Sequence, residues 1–298
     1  MISSRITLAT LLAATVFASP VFAQEANTLK KIKETGVITL GHRESSIPFS
    51  YYDDKQQVIG YSHEFMLKAV EAIKADQKID KLEIKLMPVT SANRITLVQN
   101  GTVDIECGST TNNTERQKQV SFSNSIFVIG TKLMAKKGSG IKDFPDLAGK
   151  NVVTTAGTTS ERLLRKMNED KQMGMSVISA KDHGESFLTL ETGRAVAFMM
   201  DDALLYGEMA KAKRASDWEV VGTAQSKEAY GCMLRKDDPA FKKVVDTAIA
   251  NVMASGEAEK IYSKWFLNPI PPKGLNLNMT LSDEMKTLYK APNDKAFE

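Results

Sequence analysis

Short apolar runs alternate with amphipathic stretches along most of this chain, and this alternation constrains the fold more than any other feature. The first block has the order strand, helix, strand, helix, strand, with predicted bounds 37–40, 61–74, 82–86, 93–100 and 103–107. A second block repeats the order at 151–155, 160–168, 176–180, 184–192 and 195–200. Strands joined by single helices favour a parallel sheet with helices on both faces. The sequence therefore predicts an α/β fold of two lobes, each a mainly parallel sheet flanked by helices.

Two segments interrupt this order and predict where the chain passes between the lobes. The first crossing is expected at 122–126, before a strand at 127–135, and the second at 225–229. A strand then leads into helices at 239–254 and 257–266, and a last helix is expected at 282–289. The prediction is a discontinuous first lobe, residues 24–125 and 227–298, and a second lobe formed by residues 126–226.

The first 23 residues have the pattern of a secretory signal peptide. Arg5 precedes an apolar run at 6–18, and small residues close the segment at Ala23. The apolar run is too short to remain as a membrane-spanning helix. We therefore expect cleavage before Gln24 and export of a soluble mature chain to the periplasm.

The charge distribution argues against a nucleic-acid partner. The formal net charge of the full chain is +3, and it becomes +2 when Arg5 is removed with the signal peptide. Lysines are interspersed with acidic residues along the sequence, whereas nucleic-acid-binding proteins gather basic residues in patches. Net charge alone does not identify the ligand.

Polar and charged residues follow six of the predicted strands. Ligands of open α/β sheets bind beyond the carboxyl ends of the strands, so these residues are expected to meet at one site. They are Arg43, Ser91, Arg94, Ser109, Thr111, Arg116, Thr158, Thr159, His183 and Asp201. The planar guanidinium of arginine matches a carboxylate or phosphate through two parallel hydrogen bonds. The set therefore predicts a cleft for an anion with more than one negative group.

Each of these residues also has a purely structural interpretation. The arginines could be solvated surface charges, and His183 could be an ordinary loop histidine. Some polar residues at strand ends could instead cap helices. The candidate caps are Thr158 with Glu161, Asn112 with Glu115, and Asp201 or its neighbour Asp202. The capping and ligand interpretations are compatible at Thr158 and Thr159, because a helix N-terminus offers free amides to a carboxylate.

Catalytic and metal-binding motifs are weak by comparison. The sequence has no GxSxG elbow, no HExxH pair and no phosphate-binding glycine loop. The histidines, His42, His63 and His183, are too scattered for a metal site. We therefore expect neither a cofactor nor a metal.

The chain has two cysteines, Cys107 and Cys232. An oxidising compartment would allow them to form a disulfide, and two buried free thiols are the alternative. Spacing along the sequence leaves both possibilities open.

Six motifs in order along the chain resemble the periplasmic amino-acid-binding proteins of ABC importers, solute-binding proteins of family 3 with the type II periplasmic-binding-protein fold. They are "GHRESSIPFSYYD", "TSANRITLVQNGTVDIECGSTTNNTERQKQVSFSNSIFVIGT", "AGTTSE", "SAKDHGESF", "GRAVAFMMDDALL" and "YGCMLRKDDPAFKK". The similarity covers essentially the whole mature chain and is strongest to members that bind glutamate and aspartate. It implies a monomeric binding protein, not an enzyme, that closes on L-glutamate or L-aspartate. It also implies delivery to the membrane permease subunits of an ABC importer with a cytoplasmic ATPase.

The resemblance further implies roles for individual residues. Arg116 would pair with the ligand's α-carboxylate, and Asp201 with its α-ammonium. The same main-chain groups would be contacted by Ser109, Thr111 and Thr159. The ligand's side-chain carboxylate would be held by Arg43, Ser91, Arg94 and His183. The family topology places the strands of the two cysteines side by side, so it implies a disulfide between Cys107 and Cys232.

Two other functions are compatible with a fold of this class. An exported dehydratase of small carboxylates would need a general acid or base, for which the best candidates are Asp182, His183 and Glu185. A sensory ectodomain would need a later membrane span or signalling domain, and none is expected here. Conversion of a ligand to a product would favour the enzyme, and recovery of unchanged ligand would favour the binding protein.

Overall fold

The structure is a computed structural model that describes residues 27–297. The predicted signal peptide, residues 1–23, lies outside the described residues. Within residues 27–297, no helix has the length and apolar character needed to cross a bilayer.

The elements up to the middle of the chain begin with α1 and end with the long strand β8. They are α1 Thr28–Thr35, β1 Val37–His42, β2 Ser45–Ser46, β3 Ser50–Tyr52, β4 Val58–Ile59, α2 Tyr61–Gln77, β5 Glu83–Pro88, α3 Arg94–Gln99, β6 Ile105–Glu106, β7 Thr111–Asn112, α4 Thr114–Gln117 and β8 Val120–Lys136. The remaining strands and α-helices are β9 Asn151–Thr155, α5 Thr159–Asp170, β10 Ser176–Ala180, α6 His183–Glu191, β11 Ala197–Asp201, α7 Asp202–Lys211, β12 Trp218–Val221, β13 Lys227–Arg235, α8 Pro239–Ala254, α9 Glu257–Tyr262 and α10 Asp283–Lys290.

One large mixed sheet runs through the molecule in the order β10-β9-β11-β8-β13-β6-β1-β5. Strand β1 is parallel to β5 and β6, and β9 is parallel to β10 and β11. The antiparallel pairs involve β8 and β13, which lie between these two parallel groups. The predicted α/β architecture with mainly parallel strands in each half is therefore confirmed.

Strands β8 and β13 connect the two halves of the sheet. The first part of β8 pairs with β13, from Val120 opposite Arg235 to Gly130 opposite Lys227, and its second part pairs with β11 and β12. The predicted division into a crossing at 122–126 and a strand at 127–135 is wrong, because one continuous strand of 17 residues spans both. The predicted lobe boundaries fall within β8 and beside the first residue of β13, and they stay a prediction.

Several short or uniformly apolar elements have no counterpart in the sequence prediction. These are α1, the small antiparallel sheet β2-β3-β4, α7 and β12. In α7 the consecutive residues Ala203, Leu204 and Leu205 are all buried, so no periodic contrast between apolar and polar positions marks the helix. Strands β2, β3 and β4 have only two or three residues each, which is too short for an alternating pattern.

Side-chain caps fix the starts of three helices near strand ends. Thr158 accepts a hydrogen bond from the amide of Glu161, and Asp182 accepts one from the amide of Glu185. Asp238 caps α8 in the same way, and Pro239 occupies the first helical position, where its missing N–H costs nothing. The predicted helix at 239–254 accordingly has the observed bounds.

A cluster of aromatic rings packs against the place where β8 and β13 meet. Phe127 lies 4.9 Å from both Phe49 and Phe266, measured between ring centroids, and Phe49 lies 5.0 Å from Tyr230. The hydroxyl of Tyr61 donates to the carbonyl of Ile126 over 2.7 Å. Edge-to-face and stacked rings add to the stabilisation from burial, so the two long strands are held on a rigid support.

The two cysteines form a disulfide between β13 and the end of β6. Their sulfurs are 2.04 Å apart and their Cα atoms 4.3 Å apart, and both residues are fully buried. The bond links positions 125 residues apart in the sequence. It therefore ties the loop that carries Ser109 and Thr111 to a strand of the central sheet.

Replacing both cysteines, Cys107→Ala together with Cys232→Ala, should lower the free energy of unfolding by about 2–5 kcal/mol, because the cross-link restricts the unfolded chain. Urea denaturation monitored by circular dichroism measures this difference. Thiol titration of the unfolded, unreduced wild-type protein should find no free sulfhydryl. Two free sulfhydryls, or an unchanged denaturation midpoint in the double variant, would contradict the disulfide.

Candidate ligand-binding site

The ten predicted site residues all lie at or just beyond the carboxyl ends of strands, or at the helix starts that follow. Arg43 follows β1, Ser91 lies between β5 and α3, and Arg94 begins α3. From the next part of the chain come Ser109 in the loop after β6, Thr111 in β7 and Arg116 in α4. The other half of the sheet contributes Thr158 and Thr159 at the start of α5, His183 at the start of α6, and Asp201 at the end of β11.

Eight of these ten residues are buried, and the other two, Thr158 and Thr159, are half-buried. Arg43 is 2% exposed, Arg94 1% and Arg116 7%. The interpretation of the three arginines as solvated surface charges is therefore wrong. His183 is also buried and is the first residue of α6, so it is not a loop histidine either.

Arg116 connects the two halves of the sheet. One terminal nitrogen donates to the carbonyl of Thr111 over 2.9 Å, and the other donates to the carbonyl of Gly157 over 3.3 Å. The hydroxyls of Thr111 and Thr159 lie 3.4 Å apart across the same gap. A Cβ at Gly157 would come within 2.6 Å of the Cα of Ala92, so only glycine permits this close approach. The two halves thus meet directly around the predicted main-chain site.

Arg94 and Arg43 lie deeper in the cleft. A terminal nitrogen of Arg94 donates to the carbonyl of Ser109 over 3.1 Å and to the hydroxyl of Thr110, which in turn donates to Glu106 over 2.6 Å. The side chain of Arg43 passes beside Gly108, where an added Cβ would lie 2.8 Å from the Arg43 Cγ.

Four buried polar atoms at the inner end of the cleft have no hydrogen-bond partner within residues 27–297. They are Nη1 of Arg43, Oγ of Ser91, Nε of Arg94 and Nε2 of His183, and the nearby carboxylate of Glu106 also has one oxygen, Oε1, without a partner. Leaving a buried donor unpaired costs roughly 1–3 kcal/mol, and more for a charged group. The residues Arg43, Ser91, Arg94 and His183 are the ones that the family resemblance implies for the ligand's side-chain carboxylate.

The electrostatics of the cleft favour an anion. Burial, followed by the neighbouring charge of Arg94, lowers the pKa of Arg43 to about 10 and that of Arg116 to about 9. Burial also lowers the pKa of Arg94. Burial, Arg43 and Arg94 hold the pKa of His183 well below its usual range, so this imidazole is neutral at physiological pH.

The three cleft arginines are also without ion pairs. All arginine ion pairs among the described residues involve Arg165, Arg214 or Arg235. The cleft therefore holds cationic groups that a bound carboxylate would stabilise.

The opposite wall of the site is acidic. Asp201 accepts hydrogen bonds from the hydroxyls of Thr131, over 2.9 Å, and Tyr230. Burial, and then the nearby charge of Glu228, raise the pKa of Asp201 to about 7. Asp201 occupies the N-cap position of α7, but its side chain makes no capping hydrogen bond. An ionised carboxylate has about four acceptor sites, so Asp201 can also accept from a cation.

The capping predictions at Thr158 and at Asn112 have different outcomes. The hydroxyl of Thr158 caps α5, because it accepts from the Glu161 amide, and it donates its proton to the Thr155 carbonyl over 2.7 Å. A ligand contact by this hydroxyl stays a prediction. The proposed cap at Asn112 is wrong by one residue, since Asn113 caps α4.

Sequence reasoning missed several side chains that complete the site. They are Glu106, Thr110, Thr131, Thr155, Glu228 and Tyr230, all buried. Most were missed because only residues beyond strand ends were considered, whereas Glu228 and Tyr230 lie inside β13. An acidic residue at an inward-facing position of an apolar strand is the signal that could have identified Glu228.

Comparison with known proteins is consistent with this geometry. Residues 38–268 match the family described as bacterial extracellular solute-binding proteins, family 3. The chain belongs to this family.

Two curated relatives are very similar to this solute-binding protein. An L-glutamate/L-aspartate-binding protein of Pseudomonas aeruginosa is 66% identical over 293 residues, covering 98% of this chain and 97% of the relative. A glutamate/aspartate import solute-binding protein of Salmonella typhimurium is 66% identical over 270 residues, covering 91% of this chain and 89% of the relative. Among solved structures, an ancestral arginine-binding protein bound to arginine has a TM-score of 0.70 at 27% identity, covering 78% of this chain and 98% of that structure.

The acid and base candidates for the enzyme alternative have structural roles in this solute-binding protein. Asp182 accepts from the Glu185 amide over 2.9 Å, and Glu185 accepts from the Lys181 amide over 2.9 Å. These two carboxylates thus form the cap of α6, and Nδ1 of His183 lies 2.8 Å from the hydroxyl of Thr155. The geometry gives no support to acid–base catalysis by these residues.

Asp201→Asn should stabilise the ligand-free protein at pH 8, and the gain should disappear toward pH 4. The folded-state pKa of about 7 lies above the unfolded value, so ionised Asp201 opposes folding at high pH. At pH 4 and below the carboxyl is protonated in the folded state and increasingly so in the unfolded state, which removes the difference.

Urea denaturation at pH 4, 6 and 8 tests this dependence on pH. The exposed Asp54→Asn is a matched control, and its effect should stay within about 0.5 kcal/mol at every pH. A stabilisation by Asp201→Asn that is the same at pH 4 and pH 8 would contradict the raised pKa.

Proposed function

We propose that this solute-binding protein captures L-glutamate and L-aspartate in the periplasm and delivers them to the membrane permease of an ABC importer with a cytoplasmic ATPase. The observation that carries the proposal is the group of unpartnered buried atoms on Arg43, Ser91, Arg94 and His183. A neutral His183 whose Nδ1 accepts the Thr155 hydroxyl presents an N–H at Nε2. A second carboxylate on the ligand gives all four atoms a partner.

The remaining charges match an α-amino acid. Arg116 pairs with the α-carboxylate, and Asp201 pairs with the α-ammonium. Ser109, Thr111 and the start of α5 contact the same groups. Burying an ionised group without a partner costs several kcal/mol, so a closed site needs a cation for each ligand carboxylate and an anion for the ammonium. A dicarboxylic amino acid meets this requirement, whereas lysine would place a cation beside Arg43 and Arg94.

The relatives support the ligand and the role in transport. One of the two highly similar proteins is named for binding L-glutamate and L-aspartate, and the other is named for glutamate and aspartate import. The family description as extracellular supports export, which we assign to the periplasm. The protein acts as a monomer and makes no use of nucleic acid or a cofactor.

Closure of two lobes provides the capture step. We assign residues 24–125 and 227–298 to one lobe and residues 126–226 to the other, with hinges near 123–125 and 226–229. The contacts of Arg116 with Gly157 and of Thr111 with Thr159 then join the lobes, so the described arrangement is a closed one. Opening breaks these contacts and exposes the arginines to the ligand.

Calorimetric titration of ligand-free protein with L-glutamate, L-aspartate and L-lysine tests the proposed ligand. Heat of binding is expected for the two acidic amino acids and not for lysine, because the lysine side chain would place a cation beside Arg43 and Arg94. Chromatography of the released ligand should recover it unchanged. Tightest binding of lysine would contradict the ligand assignment, and conversion of the ligand would support the enzyme instead.

Arg43→Ala and Arg94→Ala should each weaken L-glutamate binding by roughly 3 kcal/mol or more, since each change leaves a buried carboxylate without one cation. Isothermal titration calorimetry measures the loss. Arg214→Ala is the matched control, because Arg214 is exposed and pairs only with Asp217 nearby in the sequence. Unchanged affinity in both cleft variants would remove the basis for the assignment.

A further inference from the structure

Glu228 is a buried acid that no part of the proposed mechanism uses. It is the second residue of β13 and is 4% exposed. Among the described residues, no lysine or arginine nitrogen lies within 4.0 Å of its carboxylate oxygens, the limit for an ion pair. Its pairing partner across the sheet is Ile129 of β8, in the part of the structure where the two halves of the sheet join. Burying a carboxylate without a cationic partner is costly, so Glu228 is expected to have a role beyond packing.

The hydroxyls around Glu228 come from both halves of the sheet. Its Oε2 accepts from the hydroxyl of Thr111 and from that of Thr159, the latter over 2.7 Å. Its Oε1 accepts from Ser226 over 3.0 Å and lies 3.4 Å from the hydroxyl of Thr131. One carboxylate oxygen thus receives the hydroxyl protons of two residues that face the predicted main-chain site.

The direction of these hydrogen bonds decides what the two threonines can bind. A hydroxyl has one proton to donate and two lone pairs that accept. Since Thr111 and Thr159 both give their protons to Glu228, their oxygens, 3.4 Å apart, offer only lone pairs to a ligand. Oxygens in this state attract an N–H donor and repel a carboxylate.

The position of Asp201 adds a second negative charge to the same region. The hydroxyl of Thr131 lies 2.9 Å from Asp201 and 3.4 Å from Glu228, so the two carboxylates share a neighbour. Ser160, the residue after Thr159, places its hydroxyl 3.4 Å from Asp201. Two acids and two hydroxyls that can only accept therefore surround one position.

We propose that Glu228 is a positioning residue that determines specificity for the ligand's ammonium group, because it fixes Thr111 and Thr159 as hydrogen-bond acceptors. The inference rests on the proposed function and adds a residue to it. Asp201 supplies the charge that pairs with the ammonium, and Glu228 acts through the two threonines. Without Glu228 the same hydroxyls can turn and donate to a carboxylate.

The test compares L-glutamate with glutarate, which keeps both carboxylates and lacks the ammonium. Glu228→Met removes the acceptor at similar volume, whereas Glu228→Gln keeps one acceptor oxygen. In Glu228→Met the ratio of glutamate to glutarate affinity should fall by at least about tenfold, and Glu228→Gln should recover part of it. A purely structural role of Glu228 would weaken both ligands by the same factor and leave the ratio unchanged.

Glu83→Met is the matched control, because Glu83 is an exposed acid on β5 of the same sheet and the substitution is the same. It should leave the ratio within about threefold of wild type. If Glu228→Met does not fold, the half-buried Thr159 gives a second test. Thr159→Val, which loses one acceptor, should lower the ratio, and Thr159→Ser should preserve it.

Calorimetry with both ligands on wild type and variants gives distinct outcomes. A wild-type ratio retained in Glu228→Met, or in Thr159→Val, overturns the role of Glu228 alone. Wild-type protein that binds neither L-glutamate nor L-aspartate overturns the proposed function, and the inference with it.

Discussion

Burial of three positive side chains in one cleft, with no ion-pair partner among residues 27–297, is the constraint on which the rest of this structure depends. Arg43, Arg94 and Arg116 are almost completely excluded from solvent, and burial, followed by the charge of Arg94, lowers the pKa of Arg43 and of Arg116. An isolated buried charge costs several kcal/mol. The cleft is therefore poorly suited to remaining closed and empty, and it is well suited to closing around an anion that supplies the missing carboxylates.

The fold places these charges together through its shared strands. β8 pairs with strands of both halves of the sheet and β13 lies beside it, and the carboxyl ends of the parallel strands on either side face the same gap. The aromatic cluster around Phe127 and the disulfide of Cys107 with Cys232 hold the joint between the halves.

Much of the fold and of the set of polar site residues could be predicted from the sequence, because the carboxyl ends of strands in an α/β sheet converge whatever the details of packing. That rule singled out Arg43, Arg94 and Asp201, which the structure places at strand ends or at the helix start that follows. It could not reveal Glu228, which lies within a strand and is identified only by its tertiary contacts. The prediction also divided β8 into a crossing and a strand. The structure instead has one strand that changes partners along its length, and nothing in the sequence marks that change. Nor could the rule distinguish Thr158, whose hydroxyl caps a helix, from Thr159, whose hydroxyl faces the cleft.

The central claim is that the inner end of the cleft requires a second carboxylate. L-glutamate and L-glutamine test it most directly, because they differ only in whether that group is a carboxylate or an amide of nearly the same shape. Calorimetric dissociation constants for both, measured on one ligand-free preparation, should favour glutamate by at least about a hundredfold, since the amide leaves Arg43 and Arg94 uncompensated. Equal or tighter binding of glutamine would contradict the account.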